Sequence, residues 1–192
     1  MKTFDITTPS GLLLKLRYDI TRLKNSKGSP DLRYAALDCA ITAWHLSDWL
    51  LASVSDQRYQ ELTGVKRDAR GFMEGFIARN EQRLPDIRTC QLIANTGKHL
   101  VLTKHDDATI EARTTVRFTP PFDAADPSSW ANVKVQEVAY ISRGAGTQNA
   151  IEFFLNVERH WRHVLVDEGL LSSNLRDRSI EDDPMLGYST DE

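Results

Sequence analysis

Residues 29–52 read SPDLRYAALDCAITAWHLSDWLLA, and this stretch decides the fold. Ser29 offers a capping hydroxyl, Pro30 stands where a first helical residue tolerates a missing N–H, and Asp31 brings a carboxylate to the positive end of the helix dipole. The helix that follows, to about Ala52, is apolar on several sides through Leu37, Ala40, Ile41, Ala43, Trp44 and Leu51. Such a helix belongs at the centre of a bundle.

Its neighbours in the chain carry the complementary patterns. Gly11 to Lys24 predicts a first helix, capped by Ser10 and lined on one face by Leu12, Leu16, Ile20 and Leu23. Residues 56–82 predict one or two helices interrupted near Gly64, and Pro85 opens a segment from Asp86 to about Lys98 that carries Ile87, Cys90, Leu92 and Ile93. From Leu100 the period changes to two. Residues 100–102 and the series Ile110, Ala112, Thr114, Val116, Phe118 read as strands around a turn at His105–Asp107, and Val133 to Ile141 reads as a third strand. After a turn at Arg143–Gly146, Thr147 caps a last helix to about Asp167, with Ile151, Phe154, Leu155, Trp161 and Leu165 as its apolar stripe. The expectation is a mainly α fold: a four- to five-helix bundle with a small antiparallel β-sheet insertion before the last helix. Residues 1–171 form one domain, with the insertion at about 100–141, and 172–192 form an acidic, loosely ordered tail.

With 192 residues, 41% hydrophobic and 27% charged, the chain is long enough for one real core. A formal charge of −3 requires neither nucleic acid nor an anionic membrane as partner. Residues 1–34 nevertheless carry seven Lys/Arg against three acids, and the last twenty residues carry two against six. Solvated faces and tails account for such runs. Cys39 and Cys90 both fall in apolar helical patterns, which suits reduced buried thiols in a cytoplasmic protein. No stretch approaches the length of a membrane span, and the N-terminus lacks the apolar run of a signal peptide.

Two polar groupings are candidates for chemistry. Asp38, Thr42, His45 and Asp48 are spaced by four, three and three, so they form one stripe on the central helix. That stripe faces solvent, a cleft or polar partners; in the plainest reading His45 and Asp48 pair with each other and finish the helix surface. Asn95-Thr96-Gly97-Lys98-His99 stands where a helix ends, and each residue type is ordinary there. A functional reading requires the two groupings to meet across the bundle, so that His99, His45 and Lys98 act together with Asp48, Asn95 and Arg88 as binding groups. In the last helix, Glu152, Asn156, Arg159, His160 and His163 share a polar face while Trp161 points inward. Gly144-Ala145-Gly146-Thr147 lacks the Lys-Ser/Thr of a P-loop and reads as a turn.

Ala43-Trp44-His45-Leu46-Ser47-Asp48-Trp49, followed by Ala94-Asn95-Thr96-Gly97-Lys98-His99, resembles the signature of an uncharacterised bacterial protein family. Its members also end in an amphipathic helix like Phe153 to Leu165. The chain is more distantly similar to HEPN domains, four-helix proteins that include toxin RNases and inactive RNA-binding or scaffold members. Their motif is an Arg, a polar residue, three variable positions and a His; Asn95 and His99 fit it, and Ala94 stands where the Arg belongs. In the RNases the Arg and His act on the scissile phosphate, and no Ala imitates a charge-assisted contact.

Three functions follow. The first is a HEPN-like helical protein of bacterial or phage origin that acts through a protein or RNA partner, including a second copy of itself. The second is a metal-independent RNase or phosphodiesterase using His99 as general acid/base beside Lys98 and His45. The third is a small-molecule or metal-binding module at His45, Asp48 and His99, although these residues match no recognised metal motif. No cofactor and no resident metal are expected.

Overall fold

The computed structural model describes residues 6–67, 69–96, 109–119 and 134–176. Among them are six α-helices, α1 (Pro9–Asn25), α2 (Ser29–Ser53), α3 (Asp56–Thr63), α4 (Phe72–Asn80), α5 (Ile87–Thr96) and α6 (Ala150–Asp167). Three strands, β1 (Ile110–Thr119), β2 (Lys134–Arg143) and β3 (Gly146–Asn149), form an antiparallel sheet in that order, ahead of α6. The chain is therefore mainly helical with a small antiparallel sheet before its last helix, as the patterning predicts.

α1 and α2 form an antiparallel hairpin, because residues that ascend one helix meet residues that descend the other: Arg22 pairs with Asp38, and Thr42 donates to Asp19 at 2.7 Å. α2 lies at the centre, with Ala35, Cys39, Ala40, Ala43, Leu46 and Leu50 fully buried. α6, with Trp161, Phe153 and Val164 buried, packs on α1 and also meets it through charge. Buried Arg17 donates from Nε to Glu158 Oε1 at 2.8 Å, and Arg162 Nη2 reaches Glu158 Oε2 at 3.2 Å. Arg162 Nη1 also donates to the Arg176 carbonyl at 2.8 Å, which holds the 3₁₀ turn Ser173–Leu175 against α6. The structure thus puts order at the start of the segment expected to be a loose tail; residues 177–192 of that expectation lie outside the described residues.

α3 and α4 pack so closely that a Cβ on Gly75 would lie 1.9 Å from the Thr63 carbonyl oxygen, so only glycine fits. This pair is tied to the end of α6 by Glu168, which accepts from Arg58 Nε and Nη2 at 2.7 Å each and from Arg83 Nη2 at 2.9 Å. Arg67 closes the C-terminal end of α2 by donating to the Leu51 and Val54 carbonyls at 3.0 and 2.9 Å, a cation at the negative end of the dipole.

Three capping expectations are corrected. Thr8, not Ser10, caps α1: its Oγ1 accepts from the Gly11 N–H at 3.1 Å, and Pro9 takes the first helical position. Gly28 precedes α2, so Ser29 lies inside the first turn and makes no cap bond. Asn149 caps α6, its Oδ1 accepting from the Ile151 N–H at 2.8 Å. Thr147 belongs to β3 instead, and its hydroxyl lies 3.0 Å from that of Ser142 across the β2–β3 pair. Leu155, expected in the apolar stripe, is exposed. Among the described residues the pairing joins the second and third expected strands. Ile110 faces Arg143 and Thr119 faces Lys134, so β1 and β2 form a long hairpin. The strand expected at 100–102 and the turn at 105–107 lie outside the described residues.

Candidate functional site

The polar stripe on α2 divides in two. Its first half is a seam between helices. Asp38 binds Arg22, and buried Thr42 lies in a cluster with Asp19 and Lys15, whose Nζ donates to Asp19 at 2.6 Å and to Thr42 at 2.8 Å. Farther along, His45 is half-buried and Asp48 exposed.

Arg88, two turns before Asn95, is engaged locally. Its Nη1 donates to Gln91 at 2.7 Å and to Glu74 at 3.0 Å, its Nη2 pairs with the same Glu74, and that carboxylate raises its pKa. Ala94, at the position of the missing motif arginine, is only 4% exposed. Asn95 is half-buried in the last turn of α5. Lys98 and His99 lie outside the described residues.

The end of α5 opens onto a groove of about 380 Å³ formed between α2, α5, β1, β2 and α6. Leu37, Ile93, Ile141 and Phe154 supply its apolar walls. The space exists because four further positions, Ala36, Ala112, Ala139 and Ala150, carry only a methyl group. Arg33 of α2 stands at the rim, and its Nε donates to Thr114 of β1 at 3.0 Å, linking helix to sheet. Thr96 adds a second hydroxyl. The register puts Ala112, Thr114, Ala139 and Ile141 on one face of the sheet, and the cross-strand pair Arg113 and Tyr140 also borders the groove. Among the described residues no carboxylate lines the groove, and Arg33 makes no ion pair.

Leu37 and Thr96 share this groove, whereas His45 is eight residues farther along α2, roughly 12 Å at 1.5 Å per residue. The described residues thus bring Thr96, which follows Asn95 in the chain, into one groove with Arg33, and place His45 and Asp48 elsewhere on α2. Sequence reasoning missed Arg33 because the groove joins five elements distant in the chain. It missed the buried Arg17–Glu158–Arg162 set too, but that had a readable signal. Arg17 falls at helical spacing from Leu13 and Ile20, and Glu158 from Phe154 and Trp161, so each interrupts an apolar face.

Burial pushes the thiols of Cys39 and Cys90 well above the usual range, so neither is a nucleophile at neutral pH. Among the described residues no group of three His, Cys, Asp or Glu is placed to hold a metal ion, and no helix is long and apolar enough to cross a membrane. No protein-family model, curated protein or solved structure matches the chain.

Proposed function

We propose that the protein is a HEPN-like helical scaffold that acts by binding a partner protein in the groove beside Asn95 and Thr96, without performing chemistry there. The observation that carries this reading is the lining: an apolar floor shaped by four alanines, the Arg33 guanidinium at the rim with Arg113 nearby, and no carboxylate among the described residues. Such a groove suits an apolar side chain with an Asp or Glu next to it, the apolar group supplying affinity and the carboxylate fixing register on Arg33. A second copy of this chain is one such partner. RNA is a weaker fit, because a phosphate backbone is held by several cations and the described lining offers two, Arg33 and Arg113.

Cleavage is also disfavoured by the placement of the arginines. Ala94 is buried, and Arg88 is bound to Glu74 and Gln91, so among the described residues α5 itself offers no free arginine to hold a scissile phosphate. The RNase reading keeps one specific support, that His99 follows the groove residue Thr96 by three positions.

Selection of displayed random peptides on the immobilised full chain, run beside incubation with a labelled single-stranded RNA, separates these readings. The expected outcome is a set of peptides with an apolar residue beside Asp or Glu, whose affinity falls about tenfold or more in Arg33→Ala, and RNA left intact. Salt-dependent RNA binding with no groove-dependent peptide would replace the protein partner with RNA. Cleavage lost in His99→Ala would establish the nuclease instead.

A further inference from the structure

A second cavity, far smaller and independent of the groove, lies between the start of α5 and the middle of α6. Its volume is about 10 Å³, close to the roughly 10–15 Å³ that one water molecule needs. Leu84, Ile87 and Val157 form its apolar walls, and Asp86, His160 and Trp161 its polar ones.

Those three polar residues have complementary needs. Trp161 is fully buried, and its indole Nε1 has no hydrogen-bond partner among the described residues. His160 Nδ1 is buried and equally without one. Asp86, 8% exposed, is ion-paired through Oδ1 with Arg143 Nη1 at 2.7 Å, while its Oδ2 lies 3.8 Å from His160 Nδ1, beyond direct hydrogen-bond reach. Buried polar atoms left unpaired are costly, so convergence of this kind marks a site.

The chemistry selects the occupant. An indole N–H requires an acceptor, a carboxylate requires a donor, and an imidazole nitrogen serves as either. Asp86 repels an anion, the indole N–H disfavours a cation, and the volume excludes anything beyond one heavy atom. Water alone meets all three demands: it accepts from Trp161, donates to Asp86, and takes either role toward His160. Burial also holds the His160 imidazole below its ordinary pKa, against the opposing pull of Asp86 and with Arg159 and His163 adding to the depression. A neutral ring at neutral pH leaves the charge of Asp86 to Arg143. We propose that Asp86, His160 and Trp161 form a buried site for one water molecule, which ties the start of α5 to α6.

Proton NMR of the full chain tests this. The Trp161 indole N–H, one of four Trp signals, is assigned by its disappearance in Trp161→Phe. It is expected to show a cross-relaxation peak at the water frequency with the sign of a long-held water. In His160→Phe, where a phenyl ring removes one arm of the site, that peak is expected to vanish while the indole signal remains. Absence of the peak in the unaltered chain overturns the proposal. If Trp161→Phe does not fold, crystals of the unaltered chain decide at high resolution: density bonded to all three residues supports the site, and a direct Nδ1–Oδ2 contact overturns it.

Discussion

Glu158 shows what a single charged side chain does in this core. It is 1% exposed and is the carboxylate between the buried guanidiniums of Arg17 and Arg162. Replacing a buried ion set by apolar residues is often neutral, but removing one partner leaves charge uncompensated in a poorly solvating interior. Glu158→Ala is therefore expected to lower the unfolding free energy by about 3–5 kcal/mol, read from urea denaturation; a loss below about 1 kcal/mol would mean that the arginines find other acceptors. Ala94 is the converse case, a small residue where the HEPN motif has an arginine. Its burial leaves no room for a guanidinium, and overpacking alone costs about 1–3 kcal/mol, so Ala94→Arg is expected to lower the melting temperature without producing RNA cleavage. An unchanged melting temperature together with new cleavage would show that the arginine fits and that the site is a dormant nuclease.

At the scale of elements, one carboxylate joins the α3–α4 pair to the end of α6. Glu168 accepts three hydrogen bonds from Arg58 and Arg83, with the Arg58 contact the larger cause, and they hold its pKa below the ordinary glutamate range. A carboxylate depressed in the folded state stabilises the protein at any pH above its unfolded-state value, and that contribution is lost as pH falls through the folded value. Urea midpoints measured from pH 7 down to pH 3 are expected to decline more steeply in the unaltered chain than in Glu168→Gln, which is also expected to be less stable at pH 7. Parallel curves would place the acid sensitivity on other groups. Most elements were readable from local pattern: the apolar surround of α2, the stripe of α6 and the alternation of β1. Boundaries were less so, since β3 covers only Gly146–Asn149 and is specified by pairing to β2, a tertiary fact that moves the α6 cap from Thr147 to Asn149.

On the scale of the whole molecule, the helices and sheet define the groove, and its legibility follows from that. Asp38, Thr42, His45 and Asp48 form a stripe in sequence, but the hairpin with α1 takes Asp38 and Thr42 for its own seam. Arg33 carries no periodic signal, yet packing sets it at the rim with Thr114, 81 residues later in the chain. Small residues at four separate places make the space, and no local pattern reveals that they face one another. Filling that space tests binding in the groove most directly. Ala36→Trp inserts an indole from the α2 wall, and the affinity for the groove-selected peptides should fall about a hundredfold, roughly 2.7 kcal/mol, while the melting temperature stays within a few degrees. Undiminished peptide affinity in a folded Ala36→Trp protein would contradict the account, because the partner would then be held somewhere else.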